Sequence, residues 1–465
     1  MPSCLSSDGA PAVVESIDKL PAFWNRNAAF VANLLGLFFE NEEETEMLAD
    51  VVGEVDSYGG RLLPILDLLY AGGGDNLLML ESRPDPALMR YFTDTAGLSL
   101  PDLEILTHQN YLEMGRCLRS GNLEDCRAFK TLRDHSADFI DGYVTDSTIA
   151  GVSSYAGMRT FSTSDGSRHG NNKWMLHEHL EKSGLPTATT EIAERGEDID
   201  RCLDRLQSAG FTAGVVKAPM GASGIGLVKV TDLSDRGNIR KRVPDHFFME
   251  GPCLVQGWLQ TGEHGIVSMR SPSVQLFLND KEVVMYDITE QILSGDSIHE
   301  GNESPPPYLA KHPEWRAEML RQAGVAGQWL HRQGYRGTAS ADFLLTESDN
   351  GAFQVYVCEL NARVTGATYP SVLAHHFMPD GAWLLQNLRF TQPVPGEELM
   401  QLLHSAHDLF IPGKSRYGIF PVNFNTGKDG LVHKGQFLCL APTSGGSKTL
   451  LELAQLDMPC ETARD

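Results

Sequence analysis

"VYVCELNARVTGATYP" (355–370) is the stretch on which the fold turns. Val355, Tyr356 and Val357 are β-branched or aromatic, the composition of a buried strand. The run ends on Glu359, Asn361 and Arg363, spaced by two, and alternate residues of a strand point to one face. A carboxylate, an amide and a guanidinium therefore share one row at the end of an otherwise apolar strand.

Working upstream, "GTASADFLLTESDNGAFQVYVCELNAR" (337–363) holds Asn350–Gly351 between two strand-like runs, a strong signal for a two-residue hairpin turn. If those two residues make the turn, Asp342 falls directly opposite Glu359, with Cβ atoms roughly 5 Å apart. Opposed like charges destabilise a sheet unless something positive sits between them. Two carboxylates and the Asn361 amide are hard oxygen donors, the kind magnesium takes together with substrate phosphates. A solvated hairpin with acidic residues by chance is the alternative, and a longer turn would shift the register. Cys358, between these groups, reads as a small buried side chain.

The 465 residues are enough for two or three domains. Lys plus Arg number 38 against 61 Asp plus Glu, a formal charge of −23, which argues against nucleic acid or an anionic membrane as the main partner. The start, MPSCLSSDGAP, has no basic segment followed by an apolar core, so no signal peptide is expected. The apolar stretch at 28–39 is too short to span a bilayer. Eight scattered cysteines without a CxxC pair fit reduced thiols and a cytoplasmic location. Residues 1–150 alternate helix and strand signals, including NLLMLES (76–82) and LEILT (103–107), as in an α/β layer. PVPGEE (393–398) reads as a linker into a small C-terminal unit.

"VVKAPMGASGIGLVKV" (215–230) sets Gly221, Gly224 and Gly226, with Ser223 among them, between apolar runs. Such a loop can bring backbone N–H groups against phosphate oxygens, and Lys217 precedes it. A plain tight hairpin is the competing reading. No helix and no GK[ST] follow, so this is not a Walker A site. APTSGGSKT (441–449) imitates one imperfectly and reads as a surface loop. "LVQGWLQTGE" (254–263) is a strand running into a turn, in which Gln256 to Leu259 could pair with adenine and Glu263 with ribose.

Taken in order, these pieces resemble the ATP-grasp superfamily of carboxylate–amine ligases. The resemblance rests on Asn172–Lys173 opening a helix that ends in GLP, on Lys217 before the glycine loop, on QGWL with Glu263, on Asp342, and on ELNAR. It covers about residues 171–392. The flanks, with a tail reading HDLFIPGKSRYGIFPVNFNTGKDGLVHKG, are similar to the peptide ligases of pheganomycin-type biosynthesis. The resemblance implies a mixed α/β (α+β) fold: a pre-ATP-grasp α/β domain over 1–150, an ATP-grasp domain over 151–392 with a lid at about 185–255, and a small C-terminal domain over 393–465.

It further implies that Lys173 and Lys217 contact ATP phosphates beneath the loop of Gly221, Ser223, Gly224 and Gly226. Gln256 and Leu259 frame adenine and Glu263 holds ribose. Asp342, Glu359 and Asn361 hold two Mg2+ ions, with Mn2+ as a substitute, and Arg363 steadies the transferring phosphoryl group. Some relatives carry an arginine two residues before the first metal carboxylate, where this chain has Ser340. Arg270 is the expected replacement, with a surface arginine as the competing reading. "DITEQILSGDSIHEGNESPPP" (287–307) is assigned to the substrate pocket through Gln291, His299 and Asn302, or else is a plain surface loop.

The activity so implied is ATP-dependent joining of a carboxylate donor to an amino-acid or peptide amine through an acyl phosphate, releasing ADP and phosphate, in a homodimer without nucleic-acid or membrane partners. A small-molecule kinase on the same fold, a ligase making a free dipeptide, and a nucleotide-binding regulator without turnover remain as alternatives.

Overall fold

The computed structural model describes residues 10–39, 41–53, 59–70, 74–222, 224–294 and 298–460. The first unit is a parallel sheet of β2 (Ala28–Val31), β3 (Leu77–Leu80), β4 (Asp102–Ile105), β5 (Phe139–Gly142) and β6 (Arg159–Thr160), in the order β4-β3-β2-β5-β6. Its central strands AAFV and LLML are buried at every position, as a parallel sheet covered on both faces requires. The alternation expected for 1–150 is present, and the sheet continues to Thr160. The start of the chain belongs elsewhere: β1 (Ala12–Glu15) pairs in parallel with a strand of the large sheet described below.

A second sheet, antiparallel, has the order β7-β10-β8-β9, with β7 (Thr190–Ala193), β8 (Gly214–Lys217), β9 (Leu227–Val230) and β10 (Cys253–Gly257). The helix Ile199–Ser208 lies on it through buried Ile199, Cys202, Leu203 and Leu206, at the spacing the sequence shows. This unit occupies the region read as a lid.

The third sheet has ten strands and carries the polar row. β15 (Gly337–Ser348) lies between β16 (Phe353–Asn361) on one edge and, on the other, β11 (Ile266–Arg270) and β12 (Pro272–Leu278). The order then runs through β13 (Glu282–Ser294), β14 (Ile298–Ser304), β17 (Ala382–Val394), β19 (Val432–Ala441) and β18 (Gly418–Thr426). Strand alternation divides the two faces: Val274, Leu276, Ala339, Ala341 and Phe343 pack with Met319, Ala323 and Leu330 of the helix Pro313–Arg332. Ser273, Gln275, Ser340 and Asp342 occupy the other face.

Five expectations change. The hairpin loop has three residues, Asp349–Gly351, not two; Ser348 donates to the Ala352 carbonyl at 2.8 Å and Gly351 sits at φ 78°. That shifts the register, pairing Leu344 with Tyr356, until a bulge at Cys358 absorbs one residue and restores Asp342 opposite Glu359. Cys358 is exposed instead of buried, because the bulge turns it out of the ladder. Residues 287–304, read as pocket or loop, form most of β13 and all of β14 in the middle of the sheet. APTSGGSKT is a helix start: Thr443 caps the helix Ser444–Asp457 by accepting from Gly446 N. The expected boundary at 393 falls inside β17, and β17–β19 extend the same sheet. No helix among the described residues is long and apolar enough to cross a membrane.

Candidate active site

Asp342 and Glu359 are direct partners across β15 and β16, and Ser340 pairs with Asn361 one step on. Asp342 is held by three neutral donors: the Ser273 hydroxyl at 2.7 Å, the Ser340 hydroxyl at 3.1 Å and the Asn361 amide at 2.9 Å. The same amide lies 3.4 Å from Glu359. Gln275 donates to Ser273 at 3.0 Å, so the platform is braced from the neighbouring strand. Ser340 thus supports the carboxylate and brings no charge.

The cations arrive from other elements. Asn172 caps the helix Lys173–Lys182, accepting from Met175 N at 3.1 Å, and so fixes where Lys173 leaves the backbone. Lys173 Nζ lies 3.0 Å from Glu359 and donates to the Gly221 carbonyl at 3.1 Å, joining the glycine loop to the carboxylate row. Lys217, at the end of β8, faces the same row; burial lowers its pKa, partly offset by Cys358 and Glu359. Arg363 donates to the Asn171 side-chain carbonyl. Asn171 is a member of the site that nothing in its local sequence announced.

The two carboxylates titrate differently. Burial, then the charge of Glu359, pushes Asp342 up to about 6. Burial also raises Glu359, but Lys173, Arg363 and Lys217 outweigh it and hold the carboxyl below its ordinary range.

The glycine loop is a tight connection between β8 and β9. Gly224 and Gly226 have φ of 83° and 77°, and a Cβ on Gly226 would stand 2.6 Å from the Met220 carbonyl. Ser223 lies outside the described residues. Met220 and Ile225 of this loop pack on Phe38 and Leu48 of the first unit. Glu44, in the helix Glu42–Gly53, is buried beside Lys173 and Glu250, and burial pushes its carboxyl up to about 7.

The other sequence-derived residues divide. Gln256 donates to the Thr190 hydroxyl at 2.9 Å in the second sheet, and Leu259 is partly buried against that sheet's core. Glu263 accepts from the Thr212 hydroxyl at 2.6 Å. Gln291 and Asn302 are direct partners across β13 and β14, on the face that carries Ser273 and Thr289. His299 lies in β14, with its side chain outside the described residues. Arg270 is not brought to the row. Its guanidinium stacks 5.6 Å above the Tyr308 ring, and Tyr308 binds Glu290, which alternation puts on the opposite sheet face.

Among the described residues no group of three or more His, Cys, Asp or Glu is placed to hold a metal. The row supplies two carboxylates and one amide, so any hard cation seated there would take its remaining ligands from water or from a phosphate. That all-oxygen donor set fits Mg2+ or Mn2+ better than zinc, whose sites are built mainly on His nitrogen and Cys sulfur.

No family model matches the chain. Over 200 residues it is 30% identical to the [butirosin acyl-carrier protein]–L-glutamate ligase of Niallia circulans; the match spans 43% of this chain and 44% of that one. Among solved structures, an ADP complex of N5-carboxyaminoimidazole ribonucleotide synthetase superposes with a TM-score of 0.55 at 13% identity, covering 93% of this chain and 97% of that one. Biotin carboxylase from Campylobacter jejuni, in a β,γ-ATP complex, superposes with a TM-score of 0.55 at 11% identity, covering 94% and 92%. These likenesses extend over nearly the whole chain, which shares the ATP-grasp fold of those enzymes.

Proposed function

We propose that the chain is an ATP-dependent carboxylate–amine ligase that forms an amide through an acyl phosphate and releases ADP and phosphate. The observation that carries the reading is the braced pair Asp342–Glu359, with Asn361, faced by Lys173 and Lys217 from two other parts of the chain and by Arg363, two residues past Asn361. The similarity to a ligase that acts on L-glutamate and a carrier protein supports the class of reaction and a place in natural-product biosynthesis.

A carboxylate does not acylate an amine at neutral pH, because oxide is a poor leaving group. Transfer of the γ-phosphoryl group of ATP to the donor carboxylate replaces oxide with phosphate. Asp342, Glu359 and Asn361 would hold the magnesium ions, which offset charge on the phosphoryl oxygens. Lys173 and Lys217 bind phosphate oxygens, and the Lys173 bond to Gly221 holds the glycine loop down on them. Arg363, anchored by Asn171, faces the carbon under attack and stabilises the oxyanion formed when the amine adds. The β7–β10 unit keeps water from the acyl phosphate.

Two measurements test this. ADP should form only when a carboxylate and an amine are both supplied; a kinase would need one substrate. With the donor carboxylate labelled with heavy oxygen, one labelled atom should leave on inorganic phosphate. Label in AMP, or unlabelled phosphate alongside amide product, would sink the acyl-phosphate route.

A further inference from the structure

Between the first sheet and the large sheet lies a cavity of about 10 Å3, room for one water-sized group. It sits where open parallel sheets bind ligands: at the carboxyl ends of β2 and β5, the adjoining strands from which the chain winds to β3 on one side and β6 on the other. Phe30 of β2 and Asp141 of β5 are direct partners there. Trp24, Tyr70, Tyr335 and, from β12 of the large sheet, Phe277 complete an aromatic wall beside the carboxylate. Phe30, Tyr70, Phe277 and Tyr335 are all buried, so the wall is fixed by packing.

Asp141 is met by neutral donors alone. The Tyr70 hydroxyl donates to it at 2.7 Å and Gly142 N at 2.8 Å. A carboxylate offers about four lone-pair positions, so about half remain open. The Tyr335 hydroxyl is turned away, donating to the Thr338 carbonyl. No lysine, arginine or histidine among the described residues lines the cavity, and Asp141 has no ion pair with any of them. Burial outweighs both donors and pushes its carboxyl up to about 6. Asp287, in the large sheet, shows the contrast: it collects Ser304, Ser371, Trp383 and His375. A carboxylate among aromatic rings, lacking a cation of its own, is the surrounding that suits an alkylammonium. The cavity also adjoins the reacting end of the polar row. Val364, next to Arg363, is in its lining, and the charge of Arg363 acts on Tyr335.

We propose that this cavity binds the ammonium head of a primary alkylamine, held by the Asp141 carboxylate and the surrounding rings. The cation site stands on the cavity alone; its role as the site of the attacking amine rests on the ligase reading above. No cation in the lining would neutralise a carboxylate beside that nitrogen, and Asp141 would repel one. The class is therefore an amine whose nitrogen-bearing carbon carries no carboxylate, and not a free α-amino acid.

The test titrates the full chain by calorimetry with ethylammonium chloride, with sodium chloride as the blank, and with alanine, which is the same skeleton plus a carboxylate. Ethylammonium should bind saturably at a single site per chain, and alanine about tenfold more weakly or not at all. Asp141→Asn, which keeps an oxygen for the Tyr70 hydroxyl, should weaken ethylammonium about tenfold or more. Trp24→Leu, at a partly buried position that spares the core, should weaken it several-fold. Circular dichroism checks the fold of each. Alanine binding as tightly as ethylammonium overturns the assignment, as does an unchanged constant in folded Asp141→Asn or Trp24→Leu. So does the absence of saturable binding, which would leave the cavity to water. Mg-ADP separates the two readings. If it binds and ethylammonium does not, the ammonium site falls and the ligase reading stands; if ethylammonium binds and Mg-ADP does not, the cation site stands and its role as the site of the attacking amine falls.

Discussion

Two pairs of carboxylates face each other across adjacent strands of the large sheet: Asp342 with Glu359, and Glu290 with Glu303. The second pair points to the opposite face. Glu290 accepts from Ser271 N at 2.8 Å and the Tyr308 hydroxyl at 2.5 Å, and Glu303 lies 2.7 Å from Lys448 of the helix Ser444–Asp457. Its charge is met by two neutral donors at Glu290 and by a single lysine, from a distant helix, at Glu303. Around the first pair the donors to Asp342 are neutral, and the cations come from three segments, one of them adjoining the glycine loop. Opposed acids therefore do not make a metal platform by themselves; the number of cations gathered on Glu359, against one lysine on Glu303, separates the two.

The largest expected effect breaks that contrast at its centre. Asp342→Asn and Glu359→Gln should each cut kcat by about 100-fold or more with the fold intact by circular dichroism, because amides bind hard cations poorly. Glu290→Gln should keep kcat within a few-fold. Near-normal rates in both Asp342→Asn and Glu359→Gln would remove the site assignment.

Next come the two lysines. Lys217→Ala should raise the KM of ATP about tenfold or more, whereas Lys448→Ala, which only unpairs Glu303, should change it by less than about threefold. Equal effects would erase the distinction between the pairs.

The third outcome concerns metal. With Mg-ADP the parent protein should melt several degrees higher than with ADP and chelator. Asp342→Asn should lose most of that difference, and Glu303→Gln should keep it. Calorimetric scans in both conditions read it directly.

The smallest effect concerns Glu44, a carboxylate outside both pairs, buried beside Lys173 and Glu250. Burial raises Glu44 to about 7 from an ordinary 4.5, so the folded state holds its proton where the unfolded state has lost it. Stability from this group is full below about pH 4.5 and is lost as pH rises through about 7. Glu44→Gln should match the parent at pH 4 and be more stable at pH 8 by about 1–3 kcal/mol, read from urea unfolding. A constant difference across that range would place the charge elsewhere.

Much of the site was written locally. Asn172 and Lys173 begin a helix, Lys217 ends a strand before glycines, and Glu359, Asn361 and Arg363 repeat by two; each is a short-range pattern with a short-range cause. The hairpin was legible only in its result. Asn350–Gly351 announces a turn, but a third loop residue and the bulge at Cys358 offset each other, and neither is encoded in the turn itself. Strands β13 and β14 were hidden because polar residues such as Gln291 and Asn302 occupy a sheet face that only the rest of the fold buries.

By itself, then, the sequence determined which elements form and which polar groups share a strand face, since these follow from periods of two and 3.6 residues and from turn and cap chemistry. Tertiary structure alone decided that Arg270 lies across the sheet from the row, that Lys448 serves Glu303, and that Arg61 meets Tyr369 and Gln436. Those contacts join residues tens to hundreds of positions apart. No local preference specifies them; they exist only once three sheets have packed and the cost of burying each charge has been met by a partner from another segment.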